Sequence, residues 1–156
     1  MSSDDPTIHA SAVLFGARAV LIRGPSGSGK SRLARALIDS AGTANFARLV
    51  ADDRVHVAAC GGRLVASAPA ALQGLMEVRG VGICRMPFEP AAVVGLVVDL
   101  AEAGAERLPP EAQRRTVLAG VAVPRLAVAP GEDALPAVRA ALYSHPRGAR
   151  SQQTVS

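Results

Sequence analysis

Eight consecutive residues carry the clearest chemistry in this 156-residue chain: Gly24-Pro25-Ser26-Gly27-Ser28-Gly29-Lys30-Ser31. They match the pattern G-x-x-x-x-G-K-[ST] at every fixed position, the sequence form of a phosphate-binding loop. Its glycines let the backbone wrap closely, so that its N–H groups converge on an anion. Lys30 would reach the β- and γ-phosphates of a nucleotide such as ATP, and the Ser31 hydroxyl would ligate Mg²⁺. Lys30 is also the only lysine among 17 basic residues. A chain that otherwise uses arginine keeps a compact ammonium at the one position where this chemistry needs it.

A phosphate loop by itself indicates only a nucleotide. Transfer chemistry also needs a carboxylate near the metal and a group that orients or deprotonates the nucleophile. Asp52-Asp53 ends the apolar run Phe46 to Ala51. In α/β sheets the ligand crevice lies beyond the C-terminal ends of parallel strands, so one aspartate can serve the metal and the other can act as a base. The same pair also fits a solvated turn. Glu77 and Arg79 alternate with Val78 and share one face if the segment is extended. They read either as an ion pair or as a metal ligand with a phosphate clamp. His9 opens the first apolar run, where a lone histidine is more often structural.

The elements that must hold these groups follow from periodicity. Ala19 to Arg23 reads as a buried strand, and Leu33, Ala34, Leu37 and Ile38 repeat with helical spacing after the loop. The motif therefore lies between a strand and a helix, as it requires. Ile8 to Phe15 forms a hairpin with that strand through Gly16-Ala17-Arg18. The helix stops near Gly42, and Val55 to Ser67 reads as a second hairpin about Gly61-Gly62. Met76 to Ile83 reads as a bent edge strand, and Ala91 to Leu100 as a central one. Val117 to Val128 reads as one or two strands broken at Pro124, and a last helix runs from about Glu132 to Tyr143. The expectation is one catalytic domain over 1–143 and a disordered tail over 144–156.

Composition excludes several classes. The net charge is +4 and the pI about 10.0, which admits nucleic acid. The arginines are scattered, however, and three Phe, one Tyr and no Trp give no stacking platform for bases. The basicity suits a nucleotide or an acidic partner face. No apolar run is long enough to cross a membrane, and the polar, acidic start is unlike a signal peptide; a cytoplasmic location is expected. Cys60 and Cys84 read as reduced thiols in or near the core.

The order of these motifs resembles the C-terminal catalytic domain of the HPr kinase/phosphorylase family. That family carries an upstream histidine, a loop like G-D-S-G-x-G-K-S-E, an L-V-A-D-D strand end and an E-I-R-G-x-G-I signature. Here the counterparts are Ile8-His9-Ala10, Gly24 to Ser31, Leu49 to Asp53, and Glu77-Val78-Arg79-Gly80-Val81-Gly82-Ile83. Glu106-Arg107-Leu108 and Val123 to Gly131 resemble its later segments, so the likeness runs from about Ile8 to Leu142.

The resemblance implies an α/β P-loop domain with a mixed sheet, like HPr kinase and phosphoenolpyruvate carboxykinase. It implies an ATP- and Mg²⁺-dependent protein-serine kinase that acts on an HPr-like phosphocarrier of the phosphotransferase system. Asp53 would be the base, Glu77 the second metal ligand after Ser31, and His9 and Arg107 would lie near the reacting phosphate. Asp52, Arg79 and Gly80 fall in the signature regions. The family is typically hexameric, and this chain looks like a short form without the N-terminal domain. Two departures stand out. Arg32 replaces the usual Glu after the loop, and Pro130-Gly131-Glu132-Asp133 replaces P-G-R-N. The second puts the phosphorylase direction in doubt. A small-molecule P-loop kinase and a non-catalytic, ATP-sensing regulator are the alternative readings.

Overall fold

The computed structural model describes residues 6–143. The tail expected from Ser144 lies outside them.

Strands β1 (Thr7–Phe15) and β2 (Arg18–Arg23) form the expected antiparallel hairpin about Gly16-Ala17. Helix α1 (Lys30–Ala41) follows the glycine-rich loop and ends at Gly42. Strand β3 (Ala47–Ala51) returns antiparallel to β1. The hairpin β4 (Arg54–Cys60) and β5 (Arg63–Ser67) turns at Gly61-Gly62. A separate two-stranded sheet, β6 (Leu75–Val78) and β7 (Gly82–Arg85), follows. Then come β8 (Ala91–Asp99), β9 (Arg115–Leu118), β10 (Val121–Ala127) and α2 (Leu135–Tyr143).

Eight strands form one mixed sheet that closes on itself. Its path runs β2-β1-β4-β5-β8, and β2 then pairs with β8 to complete a ring. Two long strands make the closure possible. β1 pairs with β4 through Thr7–His9 and with β2 through Ala10–Phe15. β8 pairs with β5 through Ala91–Val93, then lies parallel to β2 and β10. From Leu96 to Val98 β8 is buried and wholly apolar, as parallel core strands are, and it ends on Asp99.

Alternation along β2 divides the interior. Ala19 and Leu21 face the inside of the ring with Ala10, Ala12, Ala66 and Val97. Val20 and Ile22 face α1 and α2, against Leu33, Leu37 and Val138. The inner face uses many alanines because a sheet folded on itself leaves little room between its walls.

Four expectations require correction. Met76 to Ile83 is not one bent strand: it turns at Arg79-Gly80-Val81 and pairs with itself as β6 and β7. The interruption in Val117 to Val128 falls at Ala119-Gly120, both at positive φ, and not at Pro124. Pro124 marks the handover of β10 from β9 to β8, where a missing N–H disturbs the ladder least. Helix α2 starts at Leu135, later than expected, because the Asp133 carboxylate accepts the Leu135 N–H at 3.2 Å and so begins the helix there. Cys60 and Cys84 are free thiols as expected, but Cys60 is exposed beside the β4–β5 turn. Among the described residues no helix is long and apolar enough to cross a membrane.

Candidate active site

A cleft of about 660 Å³ opens over the start of α1, walled by that helix, the glycine-rich loop, the N-terminal half of β1 and the β6–β7 hairpin. His9, Lys30, Ser31, Asp53, Glu77, Arg79 and Gly80 all line it. Residues far apart in sequence are thus brought together largely as expected. Arg107 does not line it: it lies exposed in the connection between β8 and β9.

The loop is shaped by its glycines. A Cβ on Gly24 would stand 2.5 Å from Ser28 Oγ and 3.3 Å from the Leu100 carbonyl oxygen, so only glycine fits there. Gly29 holds φ 98 at the N-cap of α1, a left-handed conformation that glycine takes without strain. That helix start has no side-chain cap and no acidic residue in its first turn, although Lys30 and Arg32 lie there. An uncapped helix start with cations beside it favours an anion. Ser28 Oγ is buried without a hydrogen-bond partner. Lys30 is 7% exposed, and its ammonium donates to the Gly24 and Pro25 carbonyls at 2.8 and 3.1 Å.

The two aspartates sit in different surroundings. Asp52 is buried, and its Oδ1 accepts the Ser31 hydroxyl at 2.8 Å and the Ser11 hydroxyl at 2.7 Å. Its Oδ2 accepts the Glu77 N–H at 3.4 Å. Asp53 takes φ 70, which swings its side chain away from its neighbour. It pairs with His9, Nε2 to Oδ1, at 3.0 Å, with its side chain 69% exposed. Glu77 and Arg79 make no ion pair with each other.

Two features were absent from the sequence reading. One is Ser11, the one polar residue between Ala10 and Phe15, which shares the face of His9 by strand alternation. The other is a cluster at the base of the loop. Arg23 grips Asp99 with two hydrogen bonds of 2.7 and 2.8 Å, and Arg125 Nε adds a third at 2.5 Å. These residues end or nearly end β2, β8 and β10, the three parallel neighbours. Burial pushes the Asp99 carboxyl up, but the hydrogen bonds and charges of Arg23 and Arg125 outweigh it and hold it below the ordinary carboxylate value.

That depressed value sets a pH dependence. The unfolded chain binds the Asp99 proton more readily than the native one, so stability rises with pH through this window. The contribution is complete above the unfolded value of about 3.9 and is lost as pH falls through the lower native one. Asp99→Asn is expected to cost about 2–4 kcal/mol at pH 7, because two part-buried guanidiniums lose their counter-charge. Urea midpoints measured at pH 7 and pH 3 should show the gap between variant and wild type narrowing in acid.

The residues fit a nucleotide with Mg²⁺. Ser31, Asp52 and Glu77 supply hard oxygen donors, which suit that ion. Among the described residues no group of three or more His, Cys, Asp or Glu could hold a metal unaided. A site completed by phosphate oxygens and water matches how Mg²⁺ is usually held.

A sequence profile described as the HPr Serine kinase C-terminal domain matches residues 3–146. A protein of Limosilactobacillus reuteri (strain DSM 20016) named HPr kinase/phosphorylase is 34% identical over 134 residues, covering 78% of this chain and 40% of the relative. One of the same name from Clostridium tetani is 44% identical over 68 residues, 44% of this chain and 21% of the relative. These matches span less than half of the curated relatives' length. The solved structure of the Hpr(Ser) kinase/phosphatase from Coxiella burnetii aligns with a TM-score of 0.70 at 25% identity, over 96% of this chain and 99% of that one.

Proposed function

The chain belongs to the HPr serine kinase C-terminal domain family, and on that premise we propose that it is an ATP- and Mg²⁺-dependent kinase. Its acceptor is a serine on an HPr-like phosphocarrier. One observation carries the reading: adjacent carboxylates have different partners. Asp52 is tied to the Ser31 hydroxyl, while Asp53 turns into the open cleft beside His9.

The loop N–H groups and the start of α1 hold the phosphates, with Lys30 at hand to meet their charge. Ser31, Asp52 and Glu77 would hold Mg²⁺, which would offset charge on the phosphates. Asp53 takes the proton from the acceptor hydroxyl. His9 holds Asp53 Oδ1 and so presents the other oxygen to the acceptor. A base this exposed suits a protein acceptor, which covers the cleft and excludes water itself; a metabolite kinase must enclose its substrate with its own walls.

Only the forward direction is assigned. Glu132 and Asp133 occupy the late loop, and Asp133 is engaged in starting α2. The test uses purified protein, Mg²⁺-ATP and HPr-type carriers from the same cell, read by intact mass. The expected result is one added phosphoryl group on a carrier serine, not removed by later addition of inorganic phosphate. Clear nucleotide binding with no transfer to any carrier would instead favour the non-catalytic regulator.

A further inference from the structure

A second cavity, of about 700 Å³, lies between the β1–β2 turn, β8, β10, the segment Leu108 to Arg115 and the end of α2. It shares no lining residue with the cleft over the glycine-rich loop. Its floor is apolar: Phe15 and Leu96 are buried there, and Leu126 is half-buried. Leu108 and Tyr143, 87% and 54% exposed, stand at its rim. Tyr143 is held in place from two sides. Its ring meets Phe15 edge-on at 6.0 Å, and its oxygen accepts Asn45 Nδ2 at 2.6 Å.

The charges around this apolar space do not balance. Four arginines line it, Arg18, Arg114, Arg115 and Arg125, against one carboxylate, Glu111. Arg125 is engaged by Asp99 and Glu102, and Arg114 Nε donates to the Pro109 carbonyl at 2.9 Å. Arg18 and Arg115 are exposed and have no hydrogen-bond or ion-pair partner among the described residues. Gly95 places the first of them. A Cβ there would stand 2.8 Å from Arg18 Cβ and 3.1 Å from its Cγ. The bare backbone of a central strand thus makes room for the stem of a cation beside an apolar floor.

We propose that this cavity is a second ligand site, which takes a small apolar molecule ending in a carboxylate. The inference does not depend on the kinase reading. The volume is that of a small-molecule site, and an apolar lining with a few polar groups is the usual composition of one. A guanidinium matches a carboxylate in a planar, two-bonded geometry. Charge argues against two other occupants. Residues 144–156 carry Arg147 and Arg150 and no Asp or Glu, and a second copy of the chain brings a net charge of +4.

The chain supplies its own reporter. Tyr143 is the only tyrosine and there is no tryptophan, so tyrosine emission reads this wall alone. Octanoate is titrated into the full chain, with calorimetry as the second readout. The expected result is a saturable change that fits one site. Octanol, which has the chain without the charge, and hexanoate, two methylenes shorter, are each expected to bind about tenfold more weakly. Arg18→Glu and Arg115→Glu should each weaken octanoate about tenfold and leave octanol unchanged. Arg18→Gln and Arg115→Gln should weaken it about threefold, and they serve if a reversal unfolds the chain. No saturable change up to about 10 mM octanoate would overturn the inference. So would octanol binding as tightly as octanoate, or arginine variants that bind octanoate like the wild type. Displacement of octanoate by Mg²⁺-ATP would put it in the first cleft and overturn the inference as well. Light scattering completes the test: a dimer that octanoate leaves intact, with no binding seen, would give the cavity to a second copy.

Discussion

Asp53→Asn is expected to bind ATP as the wild type does and to transfer phosphate roughly a thousandfold more slowly, the scale of a lost general base. The substitution is unusually clean. Asn is among the few residues that accept the left-handed conformation Asp53 takes at φ 70. The side chain is 69% exposed, so no packing is lost, and an amide oxygen can still meet His9 Nε2. Only the ability to take a proton disappears. Single-turnover rates with pre-bound nucleotide isolate that step, and calorimetric titration gives the affinity. A variant that transfers at the wild-type rate would remove Asp53 from the mechanism and leave its strained backbone without an explanation.

Lys30→Met should fail at both stages. Its ammonium is almost buried and donates to two loop carbonyls, so the variant loses a cation and loosens the loop that the cation braces. Methionine keeps most of the length and apolar bulk, which limits the loss to charge and hydrogen bonding. Removing one pre-placed electrostatic group from a transfer site costs roughly a hundred- to a thousandfold in rate. Weaker nucleotide binding is expected in addition, whereas Asp53→Asn should leave binding alone. The contrast separates holding the phosphates from activating the acceptor. Equal behaviour of the two variants in the binding measurement would contradict the division of tasks. The fold should survive, because Pro25 is exposed and Gly24 only half-buried.

Much of this site was legible in the sequence because its groups lie in short local patterns. The loop, the strand before it and the helix after it need only nearest-neighbour reasoning, and the family followed from the order of four motifs. Asp52 and Asp53 read as a pair in the sequence, and only the structure separates their surroundings. That separation depends on one backbone angle at Asp53, which no periodicity encodes. The Arg23–Asp99–Arg125 cluster was illegible for a different reason. Its members lie on three strands, β2 joined to β8 by ring closure and β10 added to β8 outside the ring, and a charged residue ending an apolar strand usually reads as a solvated end. The hairpin at Met76 to Ile83 is hidden in the sequence because alternation looks the same in an edge strand and in a strand folding back on itself. Arg107 shows the opposite hazard. A motif match carried it toward the chemistry, while the fold leaves it outside the cleft.

The ring has a consequence for how the protein is made. β2 receives its first neighbour from an adjoining turn, but its second only when β8 has been synthesised; Arg23 and Asp99 are 76 positions apart. Until then one edge of Ala19-Val20-Leu21-Ile22 stands open, apolar on both faces, in the form that recruits other chains. Such long-range pairing is also slow to form. The base of the glycine-rich loop waits for the same event, since the carboxylate that grips Arg23 arrives with β8. A nascent chain therefore passes through its most aggregation-prone stage before the loop's foundation exists. Any ligand of that loop acts as a stabiliser of the finished fold, and not as a template on which the chain assembles.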